Sequence, residues 1–135
     1  MKILLDTSVF ISLFAKNDHF ESALSLFRSV LRGHEGAFCS MTMNELIWVL
    51  KRTGHSATFI REKVEFMFTI PLRFLPATRE VFAQSVELME EFNLTYGDAQ
   101  IAAQAVVNAI NTIASFDADF DRVTELERIV ALSQA

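Results

Sequence analysis

Ile3-Leu4-Leu5 is a three-residue apolar run that stops at Asp6, and the same pattern returns along the chain. Ala37-Phe38-Cys39 stops at Ser40, Leu72 to Leu75 stops at Pro76, and Asn111 to Ser115 leads to Asp117. Ile129 to Leu132 reads as a last strand. Runs this short and continuously apolar belong to strands buried on both faces. Between them lie helically spaced segments: Thr7 to Phe14, a second helix capped by Asn17 or Asp18 and running through Arg32, and one from Ser40 or Thr42 to Arg52. Further helices are expected over 57–68, 78–92 and 98–109. Strands alternating with helices specify an α/β fold with a parallel sheet covered on both sides. Pro76 makes the Leu72–Leu75 strand short or peripheral.

Composition narrows the class. The chain has 135 residues, 51% of them apolar, with four Gly and two Pro. It reads as one domain spanning 1–135, without repeats, low-complexity tracts or linkers. Cys39 is the single cysteine, which excludes an internal disulfide and a Cys/His zinc site and suits a reducing, cytoplasmic setting. No uncharged run approaches the ~18 residues of a membrane span. The net charge of −5 argues against a broad basic nucleic-acid surface. It leaves open a nuclease, in which divalent cations bridge acidic groups to phosphate.

In open α/β sheets, ligands sit at the carboxyl ends of the strands. That rule puts Asp6 and Asp117 on one rim, with Glu45 in the first turn of one helix and Asp98 at the start of another. Each acid has a structural reading. Asp6 caps the helix after it; Thr42-Met-Asn-Glu45 fits a capping box, and Thr95-Tyr-Gly-Asp98 is a looser one. Asp117, Asp119 and Asp121 fit turns. Taken together, carboxylates converging on one rim repel, at about 4 kcal/mol for a pair ~4 Å apart in an effective dielectric near 20. A hard cation with an all-oxygen shell, Mg²⁺ or Mn²⁺, offsets that repulsion.

The ordered set Asp6-Thr7-Ser8, Glu45, Asp98-Ala-Gln-Ile-Ala-Ala and Ser115-Phe-Asp117-Ala-Asp119-Phe120 resembles the PIN-domain ribonucleases, and among them the VapC-type toxins of toxin–antitoxin pairs. The resemblance covers essentially the whole chain. It implies a Rossmann-like three-layer α/β/α sandwich and a Mg²⁺- or Mn²⁺-dependent endoribonuclease. It also implies a cognate antitoxin and a toxin homodimer. Position by position, Asp6, Glu45, Asp98 and Asp117 match the family's acidic quartet. Asp119 matches a further acidic position, which leaves open whether it or Asp117 lies nearer the metal. Ser8 and Ser115 match supporting polar positions. In this scheme Asp6 and Asp98 ligate the metal directly, while Glu45 and Asp117 are further ligands or orient water.

Two competing readings fit less well. A haloacid-dehalogenase-like phosphatase needs a second Asp two positions after the first, where this chain has Ser8. A catalytically silent PIN module that only binds protein would have lost its acids, whereas this set is complete. The histidines, His19, His34 and His55, sit in polar or turn contexts. Trp48 reads as core or dimer contact, and the thirteen Phe residues read mostly as core. Apolar positions between Ser8 and Leu31 are expected to supply part of the protein interfaces.

Overall fold

The computed structural model describes residues 1–132. Five parallel strands form one sheet in the order β3-β2-β1-β4-β5, with β1 Lys2–Leu5, β2 Glu35–Cys39, β3 Arg73–Leu75, β4 Thr112–Ala114 and β5 Glu127–Ile129. Helices α1 Thr7–Ala15, α2 Phe20–Gly33, α3 Ser40–Arg52, α4 Ala57–Thr69, α5 Arg79–Phe92 and α6 Tyr96–Val107 connect them, and a 3₁₀ turn spans Ala118–Arg122.

Alternation within β1 sorts the core into two faces, as a period of two requires. Leu4 packs with Ala37, Leu75 and the α5–α6 residues Val81, Leu88, Ile101 and Ala105. Ile3 and Leu5 face the other way, onto Phe10 of α1, Leu26 and Val30 of α2, and Leu46 and Leu50 of α3. Helices therefore cover both faces of the parallel sheet, as the alternating pattern specifies, and the three-layer α/β/α sandwich that the resemblance implies is present. Phe10 joins the second layer through edge-on contacts to Phe27 at 6.2 Å and Phe38 at 6.1 Å. No described helix is long and apolar enough to cross a membrane.

Gly36 marks the tightest place in this packing. A Cβ at that position would lie 2.5 Å from Leu72 Cδ2 and 2.7 Å from Val30 Cγ1. Val30 is β-branched and fully buried, so it has little freedom to yield. Gly36→Ala should therefore lower stability by about 1–3 kcal/mol, readable as a reduced urea midpoint at unchanged slope.

Several local expectations shift. The last strand is Glu127–Ile129, starting two residues ahead of the expected Ile129–Leu132. It is an edge strand, so a Glu-Arg-Ile sequence serves where a continuous apolar run was sought. Neither Asn17 nor Asp18 caps α2: His19 holds the N-cap position, and Asn17 Oδ1 instead accepts from the His19 N–H at 3.0 Å in a turn before the helix. The Thr42–Glu45 capping box does not form, because α3 starts at Ser40 with Cys39 at its N-cap. Trp48 is 61% exposed rather than core, and its ring carries the Arg52 guanidinium at 4.3 Å. Phe66, Phe68 and Phe82 are likewise exposed. Most of the large exposed apolar side chains thus lie on α3, α4 and α5, including Ile47 and Val86, with Met1, Tyr96 and Val130 elsewhere, while the apolar residues between Ser8 and Leu31 are buried or half-buried, apart from the exposed Ala15.

Candidate active site

The acids take their places from the ends of β1, β2 and β4. The central pair, β1 and β4, runs in register with Leu5 opposite Ala114, and the Asp6 N–H donates to the Ala114 carbonyl at 3.0 Å. Asp6 follows β1 directly and Asp117 lies three residues past the end of β4. β2 runs straight into α3, whose sixth residue is Glu45. Asp98 is the third residue of α6.

Asp6 is buried and well bonded. Its Oδ2 accepts from the Ser115 hydroxyl at 2.7 Å and, at a longer 3.4 Å, from the Ser8 N–H, so it does cap α1. Ser115 Oγ in turn accepts from the Asp117 N–H at 2.9 Å, and Ser8 Oγ accepts from the Phe116 N–H at 3.1 Å. These two serines lace the end of β1 to the segment after β4. Burial raises the Asp6 pKa above its ordinary value, against the lowering effect of those bonds.

Asp98, Asp117 and Asp119 each present a carboxylate oxygen within 4.8 Å of the other two. Asp117 Oδ1 accepts from the Asp119 N–H at 2.9 Å, which fixes the turn that brings both acids to α6. The Asp98 N–H donates to Thr95 Oγ1 at 3.4 Å, so half of the looser capping box exists. Asp6 and Glu45 lie outside this triplet, but their charges reach it. The Asp98 pKa is pushed up to about 7, first by burial and then by the charges of Asp117, Asp6 and Glu45. Burial also raises Glu45, opposed by its bond to Thr7 and reinforced by Asp6 and Asp117. Asp121 turns away to a two-pronged pair with Arg128, at 2.9 and 3.1 Å, and Arg128 holds it below its ordinary value.

This is a site rich in oxygen donors and short of cations. Arg122, 3.3 Å from Asp119 Oδ1, is the basic group that pairs with the triplet among the described residues, and both partners are about half exposed. Uncompensated carboxylates this close favour either a shared proton or a hard divalent cation. The donor chemistry fits the cation: all ligand atoms are oxygen, from groups that the strand ends and the N-terminus of α6 hold in place. Thr7 also bonds Glu45, and Gly97 leaves its carboxylate room, roles that the sequence pattern assigns to neither residue. The signal available for them was adjacency alone, one beside Asp6 and the other beside Asp98.

The chain matches the PIN domain family over residues 3–126. It belongs to that family. Ribonuclease VapC6 of Methanocaldococcus jannaschii is 32% identical to this PIN domain over 88 residues, which is 64% of the chain and 53% of that relative. The chain thus spans about half the length of the curated relative it matches. Among solved structures, Mycobacterium tuberculosis VapC20, a sarcin–ricin-loop-cleaving toxin, superposes with a TM-score of 0.79 at 19% identity, covering 90% of this chain and 95% of that one. Rickettsia felis VapBC2, bound to a DNA fragment from its promoter, gives 0.76 at 17% identity, covering 96% and 98%. At these identities the structures establish the shared PIN fold.

Proposed function

We propose that this PIN domain, formed by residues 1–135, is a divalent-metal-dependent endoribonuclease and the toxin of a type II toxin–antitoxin pair. The observation that carries the reading is the Asp98–Asp117–Asp119 triplet with Asp6 and Glu45 beside it, at the strand ends where an α/β sheet binds its ligands. Asp98, Asp117 and Asp119 would hold the ion, Mg²⁺ or Mn²⁺, with Asp6 and Glu45 as further ligands or as acceptors that orient water. When bound, the cation supplies a Lewis acid that lowers the pKa of coordinated water and neutralises phosphate charge. The chain's own groups do the positioning. Ser115 and Ser8 keep Asp6 in one orientation, Thr7 does the same for Glu45, and the Asp119 N–H anchors Asp117. A carboxylate so placed can accept the proton of the attacking water as its oxygen bonds to phosphorus, and that proton can pass to the leaving oxygen as its bond to phosphorus breaks.

RNA as substrate, and hence a cytoplasmic location, is supported by the ribonuclease relative in M. jannaschii. A protein inhibitor is supported by the VapBC assemblies among the fold neighbours and by the acidic rim, which invites an inserted Arg or Lys. Exposed Ile47 and Trp48 on α3, with Phe82 and Val86 on α5, offer apolar surface for a homodimer or an antitoxin.

Incubation of the purified chain with a mixed RNA pool tests this reading. Cleavage is expected with Mg²⁺ or Mn²⁺, and EDTA or the Asp6→Asn/Asp98→Asn double variant should abolish it. If the folded, antitoxin-free protein neither cleaves RNA nor binds Mn²⁺, the chain is a binding module only.

A further inference from the structure

Glu45 is gripped from two sides. Thr7, the first residue of α1, is buried, and its hydroxyl donates to Glu45 Oε1 at 2.8 Å. The same hydroxyl lies 3.1 Å from Oγ1 of the fully buried Thr42. A threonine hydroxyl carries one hydrogen, and an ionised carboxylate is the stronger acceptor, so Glu45 takes it. Thr42, with Cys39 Sγ 3.8 Å beyond it, walls in the Thr7 oxygen from the other side.

Gly97 leaves the space on the other side. A Cβ on Gly97 would stand 3.0 Å from Glu45 Oε2 and 3.6 Å from Glu45 Cδ. Gly97 is the second residue of α6 and has no left-handed backbone that would call for glycine. Glycine is a poor helix former, so alanine would serve the helix better at this position. The space left for the Glu45 carboxylate accounts for its presence.

We infer that Thr7 and Gly97 are positioning residues for Glu45: the hydroxyl of one orients Oε1, and the missing side chain of the other leaves room for Oε2 in that single orientation. The inference rests on the nuclease reading, and it adds residues that bear no charge and ligate no ion.

Four variants of the full chain test it: Thr7→Val, Thr7→Ser, Gly97→Ala and, as reference, Glu45→Gln. Each is measured for kcat and KM on RNA, for Mn²⁺ affinity of the metal-free protein by calorimetry, and for thermal unfolding. Thr7→Val and Gly97→Ala should each lower kcat or Mn²⁺ affinity by about 10–100-fold with KM little changed, as loss of a ligand's supporting contact does. Thr7→Ser, which keeps the hydroxyl, should restore both. Gly97→Ala should melt at or above the wild-type temperature, a gain in helix stability coupled to a loss of function that a packing role would not produce. Wild-type kcat and Mn²⁺ affinity in Gly97→Ala and Thr7→Val, beside an inactive Glu45→Gln, would overturn the positioning role and leave the nuclease standing. A fully active Glu45→Gln would overturn the positioning role together with the place of Glu45 in the site, while an inactive wild type that binds no Mn²⁺ would overturn the nuclease reading. Should Thr7→Val fail to fold, Gly97→Ala and Thr7→Ser still decide the matter.

Discussion

Replacing Asp98 by Asn is expected to abolish RNA cleavage while making the metal-free protein more stable. The two effects share one cause. Asp98 sits half-buried where Asp117, Asp6 and Glu45 all bear on it, and its pKa is pushed up to about 7. At neutral pH the folded chain therefore carries a carboxylate that would ionise far more readily in the unfolded state. Asparagine keeps the shape and the backbone N–H bond to Thr95 but removes the charge. With the exposed half of the group screened by solvent, the relief is on the order of 1–2 kcal/mol, less a few tenths for the lost helix-dipole interaction at the start of α6. That corresponds to a melting temperature several degrees higher. Activity should fall by at least about 10²–10³-fold, the usual effect of deleting one group that stabilises charge in a transition state. Paired melting curves and cleavage assays, run with and without Mn²⁺, check both halves. A destabilised, still active Asp98→Asn would instead make Asp98 a helix-capping residue.

The second large effect lies in the pH dependence and its reversal by metal. Asp6, Glu45 and Asp98 all have pKa values raised above their ordinary range, and burial is the first cause of each. Between the unfolded value near 3.8 for an aspartate and about 7 for Asp98, the native state binds more protons than the unfolded chain. Metal-free stability must then fall as pH rises through that window and recover as pH is lowered toward 4. Asp121, held low by Arg128, acts in the opposite sense, but only at the acid end, as pH drops below its unfolded value. A bound divalent cation competes with the shared proton, so its stabilisation should be large at pH 7.5 and small at pH 5. At a concentration of 100 times Kd it amounts to about 2.7 kcal/mol. Denaturant titrations at a series of pH values, with EDTA and with Mn²⁺, give both curves. Metal-free stability that climbs from pH 4 to 7 would show that these acids are not crowded in solution.

Much of this site is legible in the sequence, for physical reasons that differ from residue to residue. Asp6 stands out because it follows a buried strand at the carboxyl edge of the sheet where ligands bind, even though it also caps α1, and Asp117 follows from the same logic after β4. Glu45 was harder. Its spacing from Thr42 imitates a capping box, and only the start of α3 at Ser40 shows that Thr42 is interior and free to lie against Thr7. The roles of Thr7 and Gly97 depend on the approach of α1 and α6 to α3, a tertiary fact with no local signature. For Trp48 the apolar neighbours at 46, 47, 49 and 50 leave core and dimer contact open, and only the helix, which turns it outward, removes the first. β5 was expected two residues too late, because a short edge strand needs no apolar run to mark where it begins.

The pairing of β1 with β4 at the centre of the sheet has a consequence for how the protein is made. β1 has to wait for β4, far along the chain, before its second edge is filled, and Asp6 has no Ser115, 109 residues later, to hold it until then. Contacts of such long range form late and slowly. The acidic rim therefore cannot assemble until the segment through Asp119 has been made, and a product terminated between Asp98 and Asp117 carries Asp6, Glu45 and Asp98 without the two acids that follow β4.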